Sequence, residues 1–223
     1  MEKRRDSATA YIILADGFET IEALTPLDVL RRCGVEVTTI SLKQTRAVRS
    51  SHGVTVEADA TMEDFMHNCN CCASGTGTGT SNAGSSTSAG ISTGASTTGS
   101  SAVRQALILP GGYPGYKNLC ESAEVGALIT QFHKEGKLLC AICGAPTALK
   151  ANQICRGAAI TCHTSVKEEL SDYYSILSSA VVKYMNIITG MGAGRSLDFA
   201  FAIAESLTSK EKVEEIKAKM EII

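Results

Sequence analysis

Four short apolar runs punctuate the chain: Tyr11 to Ala15, Val35 to Leu42, Ala106 to Leu109 and Lys137 to Ile142. Each lacks the strict polar alternation of a half-exposed strand, which is how central strands of a parallel sheet read when both faces are covered. Between the first two, Glu19 to Cys33 carries Ile21, Leu24, Leu27, Val29 and Leu30 at helical spacing, and Gly34 follows where a helix ends. Pro26 lies inside that stretch and predicts a kink or a late helix start. Ser122 to Lys134 and Ser196 to Leu207 read as further helices, and Ser209 to Met220 as a charged terminal helix with a solvated face. Ala47 to Val56 and Ala180 to Ile188 read as small extra strands or hairpins. Such alternation implies βαβ units, hence an α/β fold with a mainly parallel sheet between two helical layers. In such folds function sits beyond the carboxyl ends of the strands.

The pattern fails in one place. From Ala73 to Ala102 the chain holds only Ser, Thr, Gly, Ala, one Asn and one Ile. That composition cannot bury enough apolar surface to offset roughly 1–2 kcal/mol per ordered residue, so it predicts a flexible loop. Closing a long loop costs only logarithmically more than closing a short one. The expectation is therefore a single domain interrupted by a low-complexity insertion at about residues 69–104. Cys69, Cys71 and Cys72 precede it, but only His67 joins them nearby, short of two clean ligand pairs, so no metal site is expected.

Composition narrows the function. The 223 residues are 44% hydrophobic, with 21 Lys+Arg against 23 Asp+Glu and a formal net charge of -2, so no basic excess points to a nucleic-acid partner. No apolar run approaches the ~20 residues needed to cross a bilayer, and the N-terminal run stops at Asp16 without a cleavage signal. Nine cysteines, an odd number without a secretory signal, argue against a disulfide framework and for a reducing, cytoplasmic setting. Most of them, including Cys120, Cys140, Cys155 and Cys162, are expected to be inert core thiols.

Three strand ends carry candidate chemistry. The first runs into Asp16-Gly17-Phe18-Glu19-Thr20-Ile21-Glu22, bringing carboxylates close to the strand's end. Asp16 and Glu19 fit loop or capping duties. The third ends in Leu109-Pro110-Gly111-Gly112, where bare backbone N–H groups can face a ligand, although a Gly-Gly pair also reads as a plain tight turn. The fourth ends in Cys140-Ala141-Ile142-Cys143-Gly144-Ala145-Pro146 before a helical pattern. A strand, a cysteine, small residues and a helix are the layout of a nucleophile elbow. Lowering a thiol from about 8.5 to about 5.5 takes ~4 kcal/mol, more than the ~0.3–2 kcal/mol a helix dipole supplies. A protonated carboxyl donating to the sulfur would close that gap, which points back to the first strand's carboxylates.

These motifs, together with Pro26-Leu27-Asp28-Val29-Leu30-Arg31-Arg32, Pro146-Thr147-Ala148-Leu149 and Gly192-Ala193-Gly194 through Phe199-Ala200, resemble the DJ-1/ThiJ/PfpI superfamily, in its Parkinson disease protein 7 branch. The resemblance covers nearly the whole chain apart from the insertion. It implies a flavodoxin-like three-layer sandwich, a homodimer, a nucleophilic Cys143 and Glu22 as its proton-carrying partner. Gly111 and Gly112 would frame an oxyanion pocket, with N–H donors near Gly112, Cys143 and Gly144, and His163 would stand at the active site. His52 occupies a position where that branch often has arginine, and Ala193 one where it has proline. The histidine that follows the cysteine in the protease-like branch is replaced by Gly144, and no histidine lies beyond His163 to serve a glutaminase. The implied activity is a cofactor-independent glyoxalase, with related deglycase activity, acting on a small dicarbonyl such as methylglyoxal or glyoxal. The alternative is an oxidative-stress sensor or holdase-like chaperone built on the same cysteine.

Overall fold

The structure, a computed structural model, describes residues 8–68 and 104–222. The Ser/Gly/Thr-rich insertion and its Cys69, Cys71 and Cys72 lie outside the described residues. In chain order come strand β1 (Thr9–Leu14), helix α1 (Thr20–Arg32), β2 (Glu36–Ser41), β3 (Ala47–Arg49), β4 (Thr55–Glu57), β5 (Ala60–Thr61) and α2 (Met62–Asn68). Then follow β6 (Gln105–Leu109), α3 (Gly115–Glu121), α4 (Ala123–Lys134), β7 (Leu138–Ile142), α5 (Pro146–Ala151), β8 (Ala159–Ile160), α6 (Lys167–Ser171) and β9 (Ser175–Ile176). The chain closes with β10 (Val181–Tyr184), β11 (Ile187–Gly190), α7 (Ser196–Leu207) and α8 (Lys210–Lys219).

Seven strands form the main sheet in the order β10-β11-β7-β6-β1-β2-β5. All neighbours are parallel except β10 and β11. The apolar runs are continuous because successive residues enter different cores. Ile12, Ile108 and Cys140 pack with α1 and α7 on one face, while Ile13, Leu107 and Leu139 pack with α4 and α5 on the other. The result is a flavodoxin-like three-layer α/β sandwich. Among the described residues no helix is long and apolar enough to cross a membrane.

Helix α1 shows the local logic. Glu19 is its N-cap, accepting the Glu22 N–H at 2.8 Å, and Gly34 ends it at φ +80. The late start that Pro26 predicts does not occur, since the helix begins at Thr20; the proline only removes the N–H that would have reached the carbonyl of residue 22. The segment Ala180 to Ile188 does form a hairpin, made of β10 and the first half of β11, and it extends further than expected: β11 runs parallel to β7 inside the main sheet, with Gly190 opposite Ile142. Ala47 to Val56 does form a hairpin, with Val48 paired to Val56.

Candidate functional site

Strands β11, β7, β6 and β1 are neighbours, so the four turns at their carboxyl ends meet above one edge of the sheet. Cys143 leaves β7 at φ +64, a left-handed conformation that an L-residue adopts at a cost. Its backbone is held from both sides: its N–H donates to the Gly190 carbonyl at 3.0 Å, and its carbonyl accepts the His163 N–H at 2.9 Å. Gly144 follows because nothing larger fits, since a β-carbon there would stand 2.7 Å from the Tyr116 ring. Helix α5 then opens with Pro146 and has only six residues, which keeps its dipole small.

From β1 the chain delivers the acid. A glutamate three residues past an N-cap commonly reaches back to the cap's own N–H. Here the Glu19 N–H is already bonded to the Gly111 carbonyl at 2.9 Å, and the Glu22 side chain turns inward instead. Glu22 is fully buried, its Oε2 accepts the Gly111 N–H at 2.9 Å, and its Oε1 has no hydrogen-bond partner among the described residues. Asp16 serves the loop as expected, accepting the Arg49 N–H at 2.9 Å and pairing with Lys43 at 2.9 Å.

Cys143 and Glu22 line one cleft of about 770 Å³, with His163, His52, Gly112 and Ala193 also on its walls. The structure thus brings Cys143, Glu22, His163 and Gly112 together. The His163 ring accepts the Ser165 N–H at Nδ1, 3.2 Å away, which leaves Nε2 to carry the ring proton when the imidazole is neutral. His52 stands at the mouth, 3.8 Å from Glu19 Oε1.

One expected oxyanion donor, Cys143, and the N–H of the pocket-framing Gly111 are otherwise engaged. The Gly111 N–H is bonded to Glu22, and the Cys143 N–H to Gly190. The N–H groups of Gly112 and Gly144 face the Cys143 sulfur. The core assignment of the other thiols also divides: Cys140 and Cys162 are buried, whereas Cys120 and Cys155 are only partly so. Sequence reading missed Met191, Tyr113 and Arg195 on the cleft wall. Met191 and Arg195 flank the Gly192-Ala193-Gly194 turn, and that placement is the signal that could have found them.

The electrostatics of the pair are coupled. Burial, and then the charge of Glu19, raise the Glu22 carboxyl to about 7. Burial, and then an ionised Glu22, push the Cys143 thiol up to about 12. The depressed thiol expected from the sequence is thus reversed when Glu22 is ionised, because burial and the neighbouring carboxylate both oppose a thiolate. A thiolate would require the form in which Glu22 keeps the proton, which would remove that repulsion and leave the Gly112 and Gly144 N–H groups to hold the charge on the sulfur. Glu22 Oε1, buried without a partner among the described residues, costs about 1–3 kcal/mol as it stands.

Comparison with known proteins gives the family. The model of the DJ-1/PfpI family matches residues 8–206. Protein dj-1beta of Drosophila melanogaster is 32% identical over 211 residues, covering 94% of this chain and 95% of its own length. The crystal structure of Drosophila melanogaster DJ-1beta superposes with a TM-score of 0.78 at 31% identity, over 97% of this chain and 99% of that one. A glutathione-independent glyoxalase of Caenorhabditis elegans, DJR-1.2, is 38% identical over 107 residues, 48% of this chain and 56% of its own. A match of this extent to the family model, joined to a whole-length relative above 30% identity, places the chain in the DJ-1/PfpI family.

Proposed function

We propose that the protein is a cofactor-independent glyoxalase, with the related deglycase activity, that converts small 2-oxoaldehydes such as methylglyoxal and glyoxal to 2-hydroxy acids. The observation that carries this reading is the pairing of an elbow cysteine with a fully buried glutamate on one cleft. A Caenorhabditis elegans relative described as a glutathione-independent glyoxalase supports it.

The reaction is redox-neutral overall: the dicarbonyl takes up one water, the aldehyde carbon is oxidised and the ketone carbon reduced. The Cys143 thiolate forms a C–S bond to the aldehyde carbon, and the carbonyl electron pair moves to oxygen, which takes the Glu22 proton. The Gly112 and Gly144 N–H groups are the donors nearest that oxygen's position beside the sulfur. The Glu22 carboxylate then removes the hydrogen of the former aldehyde carbon as a proton and returns it to the adjacent carbon, while the hydroxyl proton on the former aldehyde oxygen passes to the neighbouring ketone oxygen, which becomes the 2-hydroxyl. This leaves a thioester, and water cleaves its C–S bond to release lactate from methylglyoxal, or glycolate from glyoxal, and restore the thiol. His163 stands on the cleft wall with an Nε2 donor for the substrate oxygens.

Ile21 on α1 and Leu197 on α7 are 48% and 44% exposed on helices that pack against each other. These exposed apolar side chains support a homodimer, to be checked by sedimentation. The activity test is lactate formation from methylglyoxal by purified protein. Cys143→Ala and Glu22→Gln are each expected to abolish it, and turnover retained by either variant overturns the mechanism.

A further inference from the structure

We propose that Arg195 is the specificity-determining residue of the Cys143 cleft, docking a carboxylate at the far end of the molecule whose carbonyl faces the cysteine. The inference deepens the glyoxalase reading by naming its substrate class: a 2-oxoaldehyde with an acidic tail.

Size is the first argument. The cleft measures about 770 Å³, and clefts of roughly 300–1,000 Å³ accommodate drug-sized molecules. Methylglyoxal, a three-carbon dicarbonyl, leaves most of that space empty. The Gly192-Ala193-Gly194 wall keeps it open, since a β-carbon on Gly194 would meet nothing within 4 Å and one on Gly192 only the His163 ring at 3.5 Å.

Charge is the second. Arg195 is the single permanently cationic side chain on the cleft wall among the described residues. Its acidic neighbour Asp198 stands at 3.6 Å from Nη1, outside hydrogen-bond range, and both side chains are more than half exposed. Such a pair holds the guanidinium weakly, and its planar fork of N–H groups remains available for a carboxylate. The acids on the cleft are committed elsewhere: Glu19 caps α1, and Glu22 serves the cysteine. The cleft wall therefore carries a nucleophile, Cys143, and one guanidinium that its acidic neighbour holds only weakly.

Two measurements on the full chain test this. In turnover, 4,5-dioxopentanoate is expected to exceed its uncharged relative 2-oxopentanal in kcat/KM on the order of tenfold, and Arg195→Gln to bring that ratio to about one, with Arg195→Lys intermediate. The second readout needs no turnover. The unreactive 4-oxopentanoate is expected to protect Cys143 from iodoacetamide, at a half-protecting concentration on the order of tenfold lower in the wild type than in Arg195→Gln, with 2-pentanone as the uncharged control. Equal protection of wild type and a folded Arg195→Gln, confirmed by circular dichroism, overturns the proposal. Protection that depends on Arg195 without turnover of either dicarbonyl upholds the carboxylate site and removes the glyoxalase reading instead.

Discussion

Glu22 and Cys143 meet over a single glycine: Glu22 Oε2 and Cys143 Sγ lie 2.6 Å and 3.0 Å from the point a β-carbon on Gly111 would occupy. That point is also 2.6 Å from the cysteine's own β-carbon. The close approach of acid and sulfur thus depends on the absence of one methyl group.

Gly111→Ala is therefore expected to force the pair apart. Alkylation of Cys143 at pH 7 should slow at least on the order of tenfold in a folded variant, since separation returns the thiol towards its ordinary value of about 8.5. A folded Gly111→Ala protein with wild-type alkylation kinetics would show that the contact does not govern reactivity.

Glu22 also marks stability. Its folded value of about 7 lies above the ordinary 4.5, so the fold favours the neutral acid. The corresponding stability is fully present below pH 4.5 and declines as pH rises towards 7, where the unfolded chain has ionised and the native one has not. The loss amounts to roughly 3 kcal/mol. Urea unfolding at pH 4 and pH 7.5 should show the wild type losing about that much relative to Glu22→Gln, and parallel pH profiles would contradict it.

The left-handed backbone at Cys143 inverts a familiar ranking. At most buried positions alanine is at least as good as glycine, but at φ +64 the β-carbon is strained by roughly 1–2 kcal/mol. Cys143→Gly is expected to match or exceed Cys143→Ala in unfolding free energy. A clear deficit for glycine would mean that the elbow is relaxed.

Much of this was legible in the sequence. The apolar runs at Tyr11, Ala106 and Lys137 became β1, β6 and β7, whose buried faces leave little room for alternation, and the Val/Thr/Ile-rich stretch from Val35 became β2. The Ser122 and Ser209 caps set the starts of α4 and α8, each accepting a backbone N–H from three residues on. Strand β11 was underread because its four residues sit beside a turn, with Met185 at φ +52, and the long-range pairing with β7 leaves no local mark. The cleft divided in the same way. Cys143 announced itself by its neighbours in sequence and Glu22 was singled out by the family resemblance, whereas Arg195 and Met191 joined the wall only when α7 docked beside β11. Which N–H groups remain free could not be read at all, since the Gly111 and Cys143 donors are claimed by residues 89 and 47 positions away.

Peroxide separates the partly exposed thiols. Burial raises Cys120 and Cys155 above the ordinary value, and among the described residues neither has a hydrogen-bonded carboxyl partner such as Glu22 is to Cys143. Mass spectrometry after mild oxidation should find oxygen added at Cys143 first. Dominant oxidation at Cys120 or Cys155 would contradict the special status of the pair, while selective oxidation at Cys143 with negligible methylglyoxal turnover would favour the sensor role over the enzyme.

The rate of Cys143 alkylation by iodoacetamide between pH 4 and 10 tests most directly whether Glu22 keeps the proton and the sulfur carries the charge. The wild type is expected to show a midpoint well below the ~8.5 of a free thiol, and Glu22→Gln a midpoint displaced upward. A wild-type midpoint at or above that of free cysteine, unchanged by removing the acid, would place the charge on the carboxylate and contradict the thiolate mechanism.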